Sequence, residues 1–193
     1  MTDARLFVAL ELPDAVRAAL SRWSGALAAS DPTRRAVAAE SLHLTLCFLG
    51  DRPLSEVDAI GAACARAAEP PVLELTVGAA LNLPPRRPRV IAVRIEDRSR
   101  RLAGLQERIS RELVELGVHE PEPRPFLPHV TVARVRRGQR AGGAGPPGRG
   151  RTTPRLVSTL PFTASTVTLF RSLPALGGAR YEALRSAFLE RPA

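Results

Sequence analysis

The chain has 193 residues, of which 45% are hydrophobic and 24% are charged, a balance that is typical of a globular protein and excludes disorder throughout. Every apolar run is broken by charge or proline well before the roughly 20 residues that a spanning helix needs, so we expect no membrane segment. The net charge is +9, and the 28 basic residues are all arginine. The missing lysines are typical of a high-GC coding bias, while the surplus positive charge favours an anionic partner.

Cysteine usage and the N-terminus favour the cytoplasm. The two cysteines, Cys47 and Cys64, are too few for a disulfide framework, and Cys47 lies in an apolar strand pattern that is typical of a buried free thiol. Residues 1–5 run directly into a strand pattern, without the charged and apolar regions of an export signal. We therefore expect a cytoplasmic protein.

The first half of the chain predicts strand, helix, strand and helix in that order. Residues 6–12 alternate loosely between apolar and polar side chains, and residues 14–29 form an alanine-rich amphipathic pattern typical of a helix. A strand then ends at Gly50, and residues 55–68 predict a second helix with Ser55 as its N-cap.

The second half predicts two strands, the longest helix, a further strand and two closing strands. In the longest helix, apolar residues recur at three and four positions until Gly117, which favours a helix end there. A glycine, proline and arginine stretch at 138–150 has no apolar periodicity and predicts a flexible loop. The predicted elements are strands at 72–83 and 88–96, a helix at 99–116, and strands at 162–171 and 180–189, although the pattern of the last segment also fits a helix. Together these elements indicate an α+β fold in a single domain over residues 1–193.

Two short strings carry one repeated pattern of histidine, apolar residue, threonine and apolar residue. Because alternate side chains of a strand share a face, each string would place its histidine beside its threonine and bury the apolar pair behind them. A single strand histidine is more often a hydrogen-bonded core residue, but the repetition favours a functional site. The strings are His43-Leu44-Thr45-Leu46 and His129-Val130-Thr131-Val132.

These residue types suit phosphodiester cleavage without a metal. Such a reaction needs one group to take a proton, another to give one, and donors for the phosphate oxygens. Imidazole can be base or acid near neutral pH, and a threonine hydroxyl is a neutral donor. The three histidines lack the short paired spacing of common zinc sites, so we expect no metal. We also expect no cofactor.

The two strings and their surroundings resemble the RNA 2',3'-cyclic phosphodiesterases, also called 2'-5' RNA ligases, of the two-histidine phosphoesterase superfamily. The resemblance extends to the opening of the chain and to a closing serine, glycine and tyrosine pattern. It is carried by residues 41–50 (SLHLTLCFLG), 124–134 (RPFLPHVTVAR), 5–13 (RLFVALELP), 172–173 (SL) and 177–184 (GGARYEAL).

The resemblance implies a bilobal catalytic domain in which two similar lobes, each an antiparallel sheet with helices outside, face each other across a central cleft. We expect a terminal 2',3'-cyclic phosphate to bind between His43 and His129, with either ring able to act as acid or base, and of these two assignments we predict His43 as proton donor and His129 as proton acceptor. Thr45 and Thr131 would hold the phosphate oxygens, and the product would carry a 2'-phosphate. The same pair would also join a 5'-hydroxyl end to the cyclic phosphate, giving a 2'-5' linkage. The implied partner is RNA, and we expect a monomer.

Other residues are weaker candidates for the site. Arg134 matches the arginine that follows the family's second motif, but in a regular strand it would point away from His129 unless the strand ends or bulges. Tyr181 is a candidate for stacking on a base. Phe48 and Phe126 could do the same, although a core position is favoured for both. His119 is interpreted as a surface residue.

Two alternatives stay open from the sequence. One is a sister enzyme acting on small cyclic nucleotides or on 2'-5' oligonucleotides. The other is an RNA-binding module that keeps the pocket without turnover.

Overall fold

A single antiparallel sheet organises the computed structural model, which describes residues 3–68, 72–136, 159–175 and 178–189. The described residues form nine strands and three α-helices, together with two short 3-10 turns at Ala39–Ser41 and Leu54–Glu56. The elements are β1 (Asp3–Glu11), α1 (Asp14–Ser30), β2 (Arg34–Ala36), β3 (His43–Pro53), α2 (Val57–Ala67), β4 (Leu73–Leu83), β5 (Val90–Glu96), α3 (Arg101–Glu115), β6 (His129–Val135), β7 (Leu160–Ala164), β8 (Thr166–Ala175) and β9 (Gly178–Phe188).

The sheet consists of two four-stranded halves that meet at a narrow seam. The strand order is β7-β4-β5-β6 in one half and β3-β1-β8-β9 in the other, and the halves join where β3 pairs with β6 at Leu44 and Val130. Beyond that contact β6 leaves β3 and pairs with the short strand β2. This architecture confirms the predicted α+β class and its two similar antiparallel lobes.

The helices lie on the lobes as their apolar patterns predict. Helix α1 contacts β2 and β6, and the Ser24 hydroxyl on its buried face donates to the Val132 carbonyl. Helices α2 and α3 pack on each other and on the other half of the sheet. Helix α3 buries Leu102, Leu105, Ile109 and Leu113, the residues that recur at three and four positions. It ends before Gly117, whose φ of 75° suits glycine.

Some expectations need correction. The predicted strand at 162–171 is two strands, because the chain passes at Ser165 from pairing with β4 in one half to pairing with β1 in the other. Ser55 lies in a 3-10 turn and does not cap α2, which begins at Val57. The predicted loop at 138–150 lies outside the described residues. None of the helices that the structure describes combines the length and apolar character needed to cross a membrane.

Candidate active site

The repeated strings lie at the seam between the two lobes. Their apolar residues Leu44, Leu46, Val130 and Val132 are all buried in the core, as strand alternation predicts. The two histidines and two threonines lie on the opposite face and line one pocket of about 730 Å³. The structure therefore brings together the four side chains that the sequence placed in one site.

The antiparallel register sets how these four side chains face each other. Because Leu44 is opposite Val130, His43 is opposite Thr131 and Thr45 is opposite His129. The two histidines are therefore diagonal neighbours, whose backbone positions in an antiparallel pair lie about 7 to 8 Å apart. Both side chains border the same pocket.

Both imidazole rings are oriented in the same way by backbone carbonyls. His43 Nδ1 lies 2.8 Å from the Ser41 carbonyl oxygen, and His129 Nδ1 lies 2.7 Å from the Leu127 carbonyl oxygen. A carbonyl can only accept, so each Nδ1 carries the hydrogen in the neutral ring, and Nε2 holds the lone pair. Thr45 Oγ1 lies 3.1 Å from His43 Nε2 and donates to it. In both rings Nε2 is thus the nitrogen that is not held by a backbone carbonyl.

The protonation of His43 is set mainly by burial. Its pKa is lowered from 6.5 to about 4, chiefly by removal from water, with smaller lowering effects of Arg134 and His129 and an opposing effect of the Ser41 carbonyl. In addition, the Phe7 and Tyr181 rings pack on the imidazole at centroid distances of 4.8 and 5.0 Å. His43 is therefore neutral at pH 7 in the unliganded protein.

Arg134 reaches the pocket because β6 bulges. Ala92 of β5 pairs with Thr131, whereas the preceding Ile91 pairs with Ala133, so Val132 is an extra residue in β6. Val132 and Ala133 are consequently both buried, and the next residue returns to the face of the histidine. Of the alternatives that the sequence left open for Arg134, the structure shows the bulge, and its side chain lines the pocket.

The first motif strand bulges at the corresponding place. Thr45 pairs with Ala9 and Cys47 with Val8, so Leu46 is the extra residue and both Leu46 and Cys47 are buried. Phe48 therefore points into the pocket and is 56% exposed, and its favoured core position is wrong. The sequence could not show this, because nothing in the apolar run from Leu46 to Phe48 marks the extra residue.

Of the remaining candidate residues, one lies in the pocket and two lie elsewhere. Tyr181 lines the pocket, whereas Phe126 is partly buried against the core. His119 lies outside the pocket and is partly exposed, with Nδ1 3.1 Å from the Phe48 carbonyl oxygen. Over residues 3–68, 72–136, 159–175 and 178–189, no three histidine, cysteine or acidic side chains gather as a metal-binding group.

The pocket also contains charged residues that the sequence analysis missed. Arg5, Arg35 and Arg180 line it together with Arg134, and Glu40 is the carboxylate on its wall. Arg35 was missed because it lies on β2, a strand of three residues that is too short to show a period. Among the described lining residues, positive charge exceeds negative charge, which favours an anionic ligand.

Comparison with known proteins identifies the family. The family model of the 2'-5' RNA ligase superfamily matches residues 12–173. The chain belongs to this superfamily. The result confirms the resemblance that the two histidine motifs indicated.

Individual superfamily members give the degree of similarity. An RNA 2',3'-cyclic phosphodiesterase of Geobacillus stearothermophilus is 30% identical over 143 residues, which are 72% of this chain but only 44% of that relative's length. One of Escherichia coli is 29% identical over 181 residues, 94% of each protein. The crystal structure of Escherichia coli LigT complexed with 3'-AMP has a TM-score of 0.79 at 28% identity, covering 98% of this chain and all of that one (100%).

Proposed function

We propose that the protein hydrolyses 2',3'-cyclic phosphate ends of RNA to 2'-phosphate ends, using its two motif histidines as general acid and base and no metal. The observation that carries this proposal is that His43 and His129 lie on neighbouring strands and line one pocket, each with Nδ1 held by a carbonyl. The names of the relatives, RNA 2',3'-cyclic phosphodiesterases, support the substrate class.

The reaction follows from the positions of the four motif side chains. The cyclic phosphate lies between the rings, with the Thr45 and Thr131 hydroxyls donating to its non-bridging oxygens. A water molecule attacks phosphorus in line with the bond to O3', and His129 Nε2 takes the proton of the water. His43 Nε2 gives a proton to O3' as that bond breaks. The product has a 2'-phosphate and a 3'-hydroxyl.

The acid role of His43 requires it to gain a proton when substrate binds. Its pKa of about 4 in the unliganded pocket is the result of burial and of nearby positive charge. A phosphate anion beside the ring favours the charged form and so raises that pKa. Arg134 shares the phosphate charge from the other side of the pocket. The Thr45 hydroxyl, released from His43 Nε2 when the ring is protonated, becomes available to the phosphate.

Ligation follows from the same site when a different nucleophile replaces water. A 5'-hydroxyl end of RNA attacks the cyclic phosphate, His129 takes the hydroxyl proton, and His43 protonates the departing O3'. This step forms a 2'-5' phosphodiester and leaves a 3'-hydroxyl, so the atoms and charges balance as in hydrolysis.

The test is product analysis with matched histidine variants. An RNA with a 2',3'-cyclic phosphate end is incubated in a metal chelator, and the position of the phosphate in the product is determined. We expect a 2'-phosphate, and a loss of about a hundredfold to ten-thousandfold in kcat for His43→Ala and for His129→Ala. His119→Ala makes the same chemical change outside the pocket and retains near wild-type turnover.

Other results separate the alternatives. Wild-type protein that binds the RNA but converts neither it nor a small cyclic nucleotide refutes the enzyme in favour of a binding module. A wide preference for the small cyclic nucleotide favours the sister enzyme. Full activity in His43→Ala refutes the acid–base scheme.

A modified substrate tests which histidine is the acid. When sulfur replaces the bridging O3' of the cyclic phosphate, the leaving thiolate needs no protonation, so loss of the acid costs little. We expect the sulfur substrate to restore most of the activity of His43→Ala and little of that of His129→Ala. Rescue of His129→Ala instead would reverse the assignment.

A further inference from the structure

Two arginines lie directly opposite each other at the edge of the pocket. Arg35 of β2 pairs with Arg134 of β6 in the antiparallel register, so their side chains share one face of the sheet, and both line the pocket. Like charges in directly opposed strand positions are destabilising when nothing compensates them. Within the described residues, neither guanidinium has a hydrogen bond or an ion pair with a protein group. An anion between or beside them would remove this repulsion.

The Arg35 side chain extends across the pocket to the neighbouring lobe. Its guanidinium lies over Gly178 at the start of β9, where a Cβ would come within 3.3 Å of Arg35 Nη2. Gly178 has a φ of 151°, so a side chain at this position would be both strained and close to the guanidinium. The absence of a side chain at Gly178 thus leaves space in which the Arg35 head group contacts the far wall of the pocket.

Arg35 lies further from the two motif histidines than Arg134 does. Arg134 is on the same strand as His129 and lines the same pocket as both motif histidines. Arg35 is one strand further out, on β2, because strands are about 4.8 Å apart in a sheet. A cyclic phosphate bound between the histidines would contact Arg134 but leave Arg35 without a partner. A second phosphate, one nucleotide away, would occupy it.

We propose that Arg35, next to Arg134 at the cyclic phosphate, forms a second phosphate subsite that binds the phosphodiester on the 5' side of the terminal nucleotide. The preferred substrate is then an RNA chain with a cyclic phosphate end, and a single nucleoside cyclic phosphate lacks one of the two anions that the pocket recognises. This inference rests on the proposed function and specifies that the same site prefers an RNA chain to a single nucleotide. Arginine suits the role because its planar fork donates two parallel hydrogen bonds to a phosphate.

Two substrates that differ by one internal phosphate provide the test. Adenylyl-(3'-5')-adenosine 2',3'-cyclic phosphate has an internal phosphodiester, and adenosine 2',3'-cyclic phosphate with a free 5'-hydroxyl has none. The quantity measured is the ratio of kcat/KM for the dinucleotide to that for the mononucleotide. We expect wild-type protein to prefer the dinucleotide and Arg35→Gln to lower this ratio by about tenfold to a hundredfold. Arg111→Gln removes the same charge from an exposed position on α3 and leaves the ratio unchanged.

A third substrate separates phosphate recognition from recognition of the second base. In a dinucleotide whose internal linkage is a neutral methylphosphonate, the anion is lost and both bases remain. We expect wild-type protein to lose most of its dinucleotide preference on this substrate, and Arg35→Gln to show no further loss. Removal of Arg35 should also reduce the slope of log kcat/KM for the natural dinucleotide against log salt concentration by about one.

Failure of the second phosphate subsite and failure of the proposed hydrolase function give different results. A wild-type protein that converts neither substrate refutes the proposed function, and the inference falls with it. If both substrates are converted but wild type prefers the mononucleotide, or Arg35→Gln lowers both kcat/KM values equally or neither, the second subsite is refuted and the hydrolase proposal stands. A methylphosphonate dinucleotide that keeps the full preference likewise overturns the subsite.

Discussion

Acid should destabilise this protein through His43 in a defined pH range. Burial holds the pKa of the folded-state ring at about 4, whereas in the unfolded chain the ring has its ordinary value of 6.5. As the pH falls below 6.5, the unfolded chain binds a proton at His43 that the folded protein does not bind. The contribution of His43 to the free energy of unfolding is therefore fully present above pH 6.5, decreases between 6.5 and about 4, and changes no further below that value.

The magnitude follows from the same two values. The difference between 6.5 and about 4 corresponds to about 3 kcal/mol of lost stability once the pH has reached 4.

The assay is urea unfolding of wild type and of His43→Gln at intervals between pH 7.5 and 3.5, a range chosen to span both of these pKa values. Glutamine has no titrating proton, so subtracting its free energy of unfolding at each pH removes the contribution of every other group. We expect this difference to change by about 3 kcal/mol in favour of the variant as the pH falls. A difference that stays constant across the range would show that His43 titrates in the folded protein as it does in the unfolded chain, and would refute the account of its burial.

Three further predictions concern nucleobase stacking on Phe48, the packing of Leu44 at the seam between the lobes, and the two buried cysteine thiols. Phe48→Ala removes an exposed ring from the pocket. Because base stacking is lost, KM for an RNA end should rise about fivefold or more, while the melting temperature changes little. A large fall in melting temperature with unchanged KM would contradict this prediction. Leu44→Ala creates a cavity where the lobes join and should lower the free energy of urea unfolding by about 2 to 5 kcal/mol, and a loss below 1 kcal/mol would show that the seam can collapse around the smaller residue. Cys47 and Cys64 are buried free thiols whose pKa burial raises to about 12, so neither should react with a thiol reagent at pH 8 until the protein unfolds; rapid labelling of the native protein would contradict their burial.

Strand alternation is sufficient to predict which motif side chains meet. His43 and Thr45 face the pocket, and Leu44 and Leu46 face the core, because the strand is regular over those four residues. The helix that ends before Gly117 is predicted equally well, since its buried residues follow one clear period. These features depend on local geometry alone, and local geometry can be read from the sequence.

The structural features that could not be predicted from the sequence depend on pairing between strands that are distant in the chain. A bulge is set by the register of β6 against β5, so no property of residues 129–135 alone reveals that Arg134 enters the pocket. Strand β2 has three residues and exists because β6 offers it an edge once β3 has separated. The split at Ser165 likewise follows from which lobe each neighbouring strand joins. Such features need the three-dimensional arrangement before they can be predicted.

The two bulges also explain how a repeated motif can serve an asymmetric reaction. The backbone treats both strings alike: each histidine binds a carbonyl two residues earlier, each strand has its extra residue three positions after the histidine, and each returns a side chain to the pocket five positions after it. The returned side chains differ, since one is Phe48, which offers a surface to a base, and the other is Arg134, which offers a charge to a phosphate. The rings differ too, because Phe7 and Tyr181 pack on His43, while no aromatic ring of the described residues packs on His129. Under the proposed function, this asymmetry favours one orientation of a substrate that has a base on one side of its phosphate and a charged chain on the other, and the orientation determines which histidine meets the leaving oxygen.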